Sequence, residues 1–297
     1  MYIYYKRFFV AVWGIKRATF RGSLSVGKFE MKIIGEVIVF VCLIVGSQGQ
    51  WLDEHCGSGG STSCPWLAAI YIWDPQKWET YFHCTGTLIT DRFILTHAIP
   101  NTRIGYIFAR LGATYDDAPT SQWYTTESLT MHPNFENNGK HIKNDISLIK
   151  LNRKAEFNAL ISPICLFHSK SQNQKQLQRQ IADSTLEFTF SGWTKPFFTS
   201  NSKVLKSTMV VRLNPQLCSN AIEDPLEWNQ ICGETDSDEL CFRNSGGPLE
   251  MVINKWGKNE SVLLGILSYG TGSCGDPDVF TDILSHSDWI ASIVRDQ

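Results

Sequence analysis

The sequence predicts an all-β protein, a sandwich or a barrel, on two observations. Short runs of β-branched and aromatic residues recur at roughly regular spacing between turn residues. Helical spacing is nearly absent until the last dozen residues. A chain of 297 residues, 43% of them hydrophobic, can bury a sizeable core. About 250 residues can form one all-β unit without dividing into two domains. The formal charge of −2 offers no basic footprint, so nucleic acid is not an expected partner.

Residues 1–30 are basic and aromatic without a core-like period. At Met31 a clearer order begins: Lys32, an apolar run at 37–46, then the small residues Ser47 and Gly49. That order predicts a secretory signal over 1–49 with cleavage near Gly49, and Met31 as the expected start of the chain. The alternative, a membrane anchor, meets a run too short to span a bilayer comfortably, so no span is expected in the mature chain. Residues 50–64 are rich in Gly and Ser, cannot pack a core, and read as a tail tethered at Cys56. The domain proper is expected over 65–297.

Strands are expected at 67–73, 85–89, 93–96, 106–111, 146–151, 188–191, 208–213, 249–252, 262–269 and 279–283. The polar, Gln-rich segment 169–180 reads as a solvated loop. Only 285–295 has helical spacing, with Trp289, Ile290, Ile293 and Val294 on one face. No internal repeat is present.

Of nine cysteines, Cys42 would be lost with the signal. The other eight, Cys56, Cys64, Cys84, Cys165, Cys218, Cys232, Cys241 and Cys274, read as a disulfide set in an exported chain. Apart from a loose Cys56–Cys64 interval they lack zinc-site spacing, so no metal and no other cofactor is expected. Asn259-Glu260-Ser261 is a glycosylation acceptor at Asn259.

The chemistry-bearing stretch is Cys241-Phe242-Arg243-Asn244-Ser245-Gly246-Gly247-Pro248-Leu249, a serine set among glycines as a nucleophile on a tight turn would be. It resembles the nucleophile loop of the trypsin/chymotrypsin family of serine proteases. The likeness extends in order through Phe82-His83-Cys84, Arg110-Leu111-Gly112, His132-Pro133, Asn144-Asp145-Ile146, Ser191-Gly192-Trp193, Asn229-Gln230-Ile231-Cys232, Ser268-Tyr269-Gly270 and Asp288-Trp289-Ile290. It covers about Pro65 to Arg295. It implies two six-stranded antiparallel β-barrels packed together, with a C-terminal helix.

The resemblance also implies a triad in which a histidine takes the serine's proton and an aspartate orients the histidine. Asp145 and Ser245 stand at the aspartate and serine places. The run Leu95-Thr96-His97-Ala98-Ile99-Pro100 puts Ile99 at the histidine place and Pro100 at that of a cysteine. Ile99 cannot accept a proton, and His97, two places early, is expected to turn its ring away as a structural or surface histidine. Asp145 and Ser245 would then persist as buried hydrogen-bonding groups or as leftovers.

Three further departures surround the triad. Arg243 replaces the glycine that gives one oxyanion N–H, Ser245 giving the other. The Arg243 side chain either occupies that site or lies in solvent. Asn244 replaces the aspartate that receives the new terminus after activation, and no activation segment lies between Cys56 and Pro65. The specificity pocket has Glu239 at its floor, Ser268 and Gly270 at its wall, and Asp278 where glycine is usual. Two carboxylates there predict either a filled pocket, one carboxyl staying protonated, or a pocket for a basic side chain.

By the same resemblance the bridges are Cys56–Cys165, Cys218–Cys232 and Cys241–Cys274. Cys64 and Cys84 lack the family's partners, and pairing them together is the simplest accounting. The implied function is that of a secreted, extracellular serine protease homologue, catalytically inactive and acting by binding. Its implied partners are proteases, zymogens or inhibitors, as cofactor, decoy or regulator in a defence cascade. A serine-type endopeptidase with an unexpected base and a structural extracellular protein are the alternatives.

Overall fold

The computed structural model describes residues 52–53, 56–57, 64–100, 106–114, 118–119, 121–139, 141–168, 172–185, 187–194, 204–235, 244–255, 257–271 and 276–295. The expected signal at 1–49 lies outside them.

The first barrel contains β1 (Leu67–Asp74), β2 (Glu79–Leu88), β3 (Phe93–Thr96), β4 (Ile107–Leu111), β5 (Gln122–Met131) and β8 (Ser147–Leu151). They close antiparallel in the order β1-β2-β3-β8-β5-β4. A short hairpin, β6 (Glu136–Asn137) and β7 (Ile142–Lys143), precedes β8. The second barrel closes in the order β10-β11-β14-β13-β12-β9. Its strands are β9 (Glu187–Thr194), β10 (Val204–Arg212), β11 (Gln230–Thr235), β12 (Pro248–Lys255), β13 (Lys258–Gly270) and β14 (Asp278–Asp282). The two six-stranded barrels expected from the family likeness are therefore present. Closure leaves neither barrel with an edge strand, which is how an all-β chain avoids edge-to-edge association.

Alternating apolar residues fill each barrel. Ile70, Leu88, Ile94, Leu111 and Ile149 are fully buried in the first, and Phe188, Phe190, Leu249, Val262 and Phe280 pack the second. The C-terminal helix α3 (Ile283–Arg295) begins where β14 ends, with Asp282 as its cap: Leu284 N–H donates to Asp282 Oδ1 at 3.0 Å. Ile283 and Ile290 belong to the first barrel's apolar cluster, and Trp289, Ile293 and Val294 pack against it. The expected face is the one that docks.

Two more helices are present. The first, α1 (Gln172–Ser184), corrects the reading of 169–180 as a solvated loop. Gln, Lys, Arg and Ala are good helix formers, and the helix is held by polar anchors in place of a broad apolar stripe. Lys175 Nζ reaches Asp288 at 2.6 Å, and Arg179, one turn on, reaches the buried Asp282 at 2.5 Å. The second, α2 (Pro215–Ile222), has Asn214 as its N-cap and Pro at its start.

Two disulfides are formed among the described residues. Cys56–Cys165 ties the tail to the barrels, where Gly57 N–H also donates to Pro163 O at 2.8 Å. Cys218–Cys232 ties α2 to β11. The expected Cys241–Cys274 bridge lies outside the described residues. The suggested Cys64–Cys84 pair is not formed, and the strand register explains why. Cys84 pairs with Ile70, six residues along the chain from Cys64. Both are buried thiols in different surroundings: Cys64 donates to Ser191 Oγ at 3.0 Å, while Cys84 lies 3.5 Å from Thr96 Oγ1.

Candidate functional site

The site residues come from both barrels. β3 delivers the turn 97–100, the segment before β8 delivers Asp145, and the turn before β12 delivers Ser245. Asn144 takes φ = +48°, a left-handed conformation that asparagine tolerates better than most residues. Its Oδ1 accepts from Asn229 Nδ2 at 2.9 Å and lies 3.1 Å from His286 Nε2, so α3 and the second barrel hold this bend.

Asp145 is buried, and both of its carboxylate oxygens are occupied. Oδ1 accepts the Ala98 N–H at 2.8 Å and Oδ2 accepts the Ser268 hydroxyl. Thr281 Oγ1 donates to the Asp145 carbonyl at 2.9 Å. Ser268 and Thr281 lie more than a hundred residues away on β13 and β14, so no local spacing announces them as its supports.

Ile99 is 2% exposed and belongs to the first barrel's apolar cluster. Ile99, which stands at the histidine place of the family's pattern, is thus an aliphatic core residue in this fold. The Ser245 backbone is fixed, its carbonyl accepting Thr85 N–H at 3.0 Å. Its hydroxyl makes no hydrogen bond among the described residues. Gly246 follows at φ = +81°. A Cβ there would fall 2.2 Å from both Thr85 O and Thr96 Oγ1, so only glycine brings the serine turn this close to β2 and β3.

His97 is a largely buried histidine, the structural one of the two roles expected of it: the side chain is 19% exposed, and Nδ1 lies 3.9 Å from Asp145 Oδ1. The ring stacks on His83, with centroids 5.8 Å apart and planes at 28°. With Pro100 at the expected bridging position, Cys84 has no sulfur partner there, and His97 occupies space beside the thiol. Burial lowers the His97 pKa, opposed by the nearby Asp145 charge. Burial, reinforced by His97, brings His83 down to about 4. Ligand atoms of His83, Cys84 and His97 all lie within 4.8 Å of one another, a gathering that the sequence spacing did not reveal.

Asn244 is 1% exposed and paired in both directions with one residue of β9. Its Oδ1 accepts the Trp193 N–H at 2.7 Å and the Thr85 hydroxyl at 3.2 Å, while its Nδ2 donates to the Trp193 carbonyl at 3.1 Å. A carboxylate could take the first two bonds but has no proton for the third. The approach also needs Gly192, where a Cβ would lie 2.6 Å from Asn244 Oδ1.

At the pocket wall, the Asp278 carboxyl lies against Gly270, so close that a Cβ on Gly270 would fall 2.1 Å from Asp278 Oδ1. Burial, with a smaller contribution from Asp276, pushes Asp278 up to about 7. Glu239 at the floor and Arg243 at the oxyanion place lie outside the described residues. Asn259 is exposed on β13 beside the hairpin turn, with Oδ1 accepting from Asn254 at 3.0 Å.

Residues 58–290 match the family model described as Trypsin. The CLIP domain-containing serine protease B4 of Anopheles gambiae is 31% identical over 83% of this chain and 69% of its own. The CLIP domain-containing serine protease HP8 of Bombyx mori is 29% identical over 81% of this chain and 66% of its own. The chain thus spans about two thirds of the length of these relatives. Among solved structures, the Drosophila Grass clip serine protease of the Toll pathway superposes with a TM-score of 0.64 at 26% identity, covering 83% of this chain and 74% of that one.

Proposed function

The chain belongs to the trypsin family, and we propose that within it this chain acts by binding other proteins and not by cutting them. What carries this reading is Ile99, an aliphatic residue at the histidine place of the family's pattern, buried in the first barrel's core. A serine at its ordinary pKa is a poor nucleophile without a base. Removing the histidine of such a pair lowers turnover on the order of 10⁶-fold in subtilisin. Asn244 supports the reading independently, since its amide is committed to Trp193 and offers no charge to a newly freed terminus. The Asp278 carboxyl beside Gly270 supports a filled specificity pocket.

The setting proposed is extracellular, reached through the signal that begins at Met31. The partners are active proteases, zymogens or inhibitors of a defence cascade, met as cofactor, decoy or regulator. What supports this is the naming of the insect relatives as CLIP domain-containing serine proteases, and of the solved relative as a protease of the Toll pathway.

One observation favours a second reading. His97 lies beside Asp145 and could serve as an unexpected base in a weak endopeptidase. A broad peptide-substrate panel separates the two. Binding without cleavage requires turnover by the purified chain to match that of Ser245→Ala. Turnover lost in both Ser245→Ala and His97→Ala would establish the second reading.

A further inference from the structure

The group His83, Cys84 and His97 has a structural cause that packing alone does not require. Along a regular strand, neighbouring side chains point to opposite faces, so His83 and Cys84 should diverge. They do not, because β2 carries a bulge there. Ile70 pairs with Cys84 and Tyr71 pairs with Phe82, which leaves His83 as the extra residue. A bulge re-aims a side chain, and here two consecutive residues serve one place. The turn after β3 brings His97 to the same place, with its ring stacked on His83.

We propose that His83, Cys84 and His97 form a binding site for a divalent cation of the zinc class. Two imidazoles and a thiolate suit zinc, which takes nitrogen and sulfur ligands in a tetrahedron and often keeps one position open. Ligands at about 2.0–2.3 Å from such an ion stand about 3.3–3.8 Å from each other. The present upper separation of 4.8 Å therefore has to close by about 1 Å, within reach of a side-chain rotation of the partly exposed His97. Asp145 stands behind His97, its Oδ1 3.9 Å from Nδ1, where its charge offsets the cation's. Cys84 binds as thiolate, its proton passing to solvent.

The site does not depend on whether the serine is active. It gives a use to three residues that the triad geometry leaves aside, and it commits His97 to the ion and not to Ser245.

The test is titration of the purified full chain with Co²⁺, followed by displacement with Zn²⁺. One equivalent of Co²⁺ should produce a thiolate-to-metal absorption band that Zn²⁺ abolishes, and Zn²⁺ should raise the melting temperature. Cys84→Ser should lose the band, while Cys64→Ser should keep it. Asp145→Asn, which removes the nearby negative charge, should weaken Zn²⁺ binding. If Cys84→Ser does not fold, His83→Asn and His97→Asn carry the same test, each lowering Co²⁺ affinity in a folded protein. A folded wild-type chain that gives no band, a band that survives Cys84→Ser, or unchanged affinity in both histidine variants overturns the site.

Discussion

At the scale of single residues, Asn244 carries the most specific information. Its amide matches one acceptor and one donor of Trp193, which makes Asn244→Asp a sharper probe than its small change in size suggests. The ionised carboxylate would face the Trp193 carbonyl without a proton between them. The variant should lose roughly 1–3 kcal/mol, the usual cost of a buried group left unsatisfied. Protonation restores the missing donor, so the folded pKa of the introduced carboxyl is raised. The loss should shrink as pH falls below that value. Chemical denaturation at two pH values checks this, and a pH-independent loss would contradict it. Ile99→His is the complementary probe. It should produce no peptidase, because Asn244 and Asp278 remain and no activation segment lies between Cys56 and Pro65. An active single variant, read on a peptide panel, would show those lesions to be unimportant.

Ile99 cannot accept a proton in any conformation, so that departure from the family's pattern is legible in the sequence itself. The surroundings of His97 are not. A side chain on a turn points where its neighbours leave room, and the room beside Cys84 follows from Pro100 and a bulge in β2, neither of which shows as spacing.

At the scale of elements, α1 shows where pattern reading stops. Most barrel strands announce themselves by apolar runs: the ten expected runs lie in ten of the twelve barrel strands, while β5 and β11 were not expected. The run at 85–89 is the C-terminal half of a longer β2. The helix α1 turns Gln178 and Ala182 inward and docks through Lys175 and Arg179, so its polar sequence looked like a loop. Arg179→Ala would leave the buried Asp282 without its guanidinium. The expected loss is roughly 1–3 kcal/mol, with early amide exchange in α1 as its local sign. Unchanged exchange there would separate α1 from the Arg179 contact.

β12 offers a pH test. Glu250 is fully buried in the second barrel, and burial pushes its carboxyl from its ordinary 4.5 up to about 7, partly offset by the Ser191 hydroxyl at 3.2 Å. A carboxyl whose folded pKa is raised contributes stability that is complete below its unfolded pKa and lost as pH rises through the folded one. Glu250→Gln removes that dependence. Its melting temperature relative to wild type should therefore be more favourable at about pH 8 than at about pH 5. A difference that does not change with pH would contradict the buried, protonated Glu250.

At the scale of the whole molecule, two closed barrels, a docking helix and the two disulfides among the described residues keep the architecture of the trypsin family, while the sequence carries Ile99 at the family's histidine place. That separation is physically reasonable. The barrels depend on alternating apolar residues and strand register, while the chemistry depends on a few side chains at their junction, so one can change without the other. The central claim is that Ser245 is not activated. Treatment of the purified chain with a fluorophosphonate probe, read by peptide mass mapping, tests it most directly. The account predicts no labelling of Ser245 above that of the denatured chain. Stoichiometric labelling of Ser245 in the folded chain would contradict it.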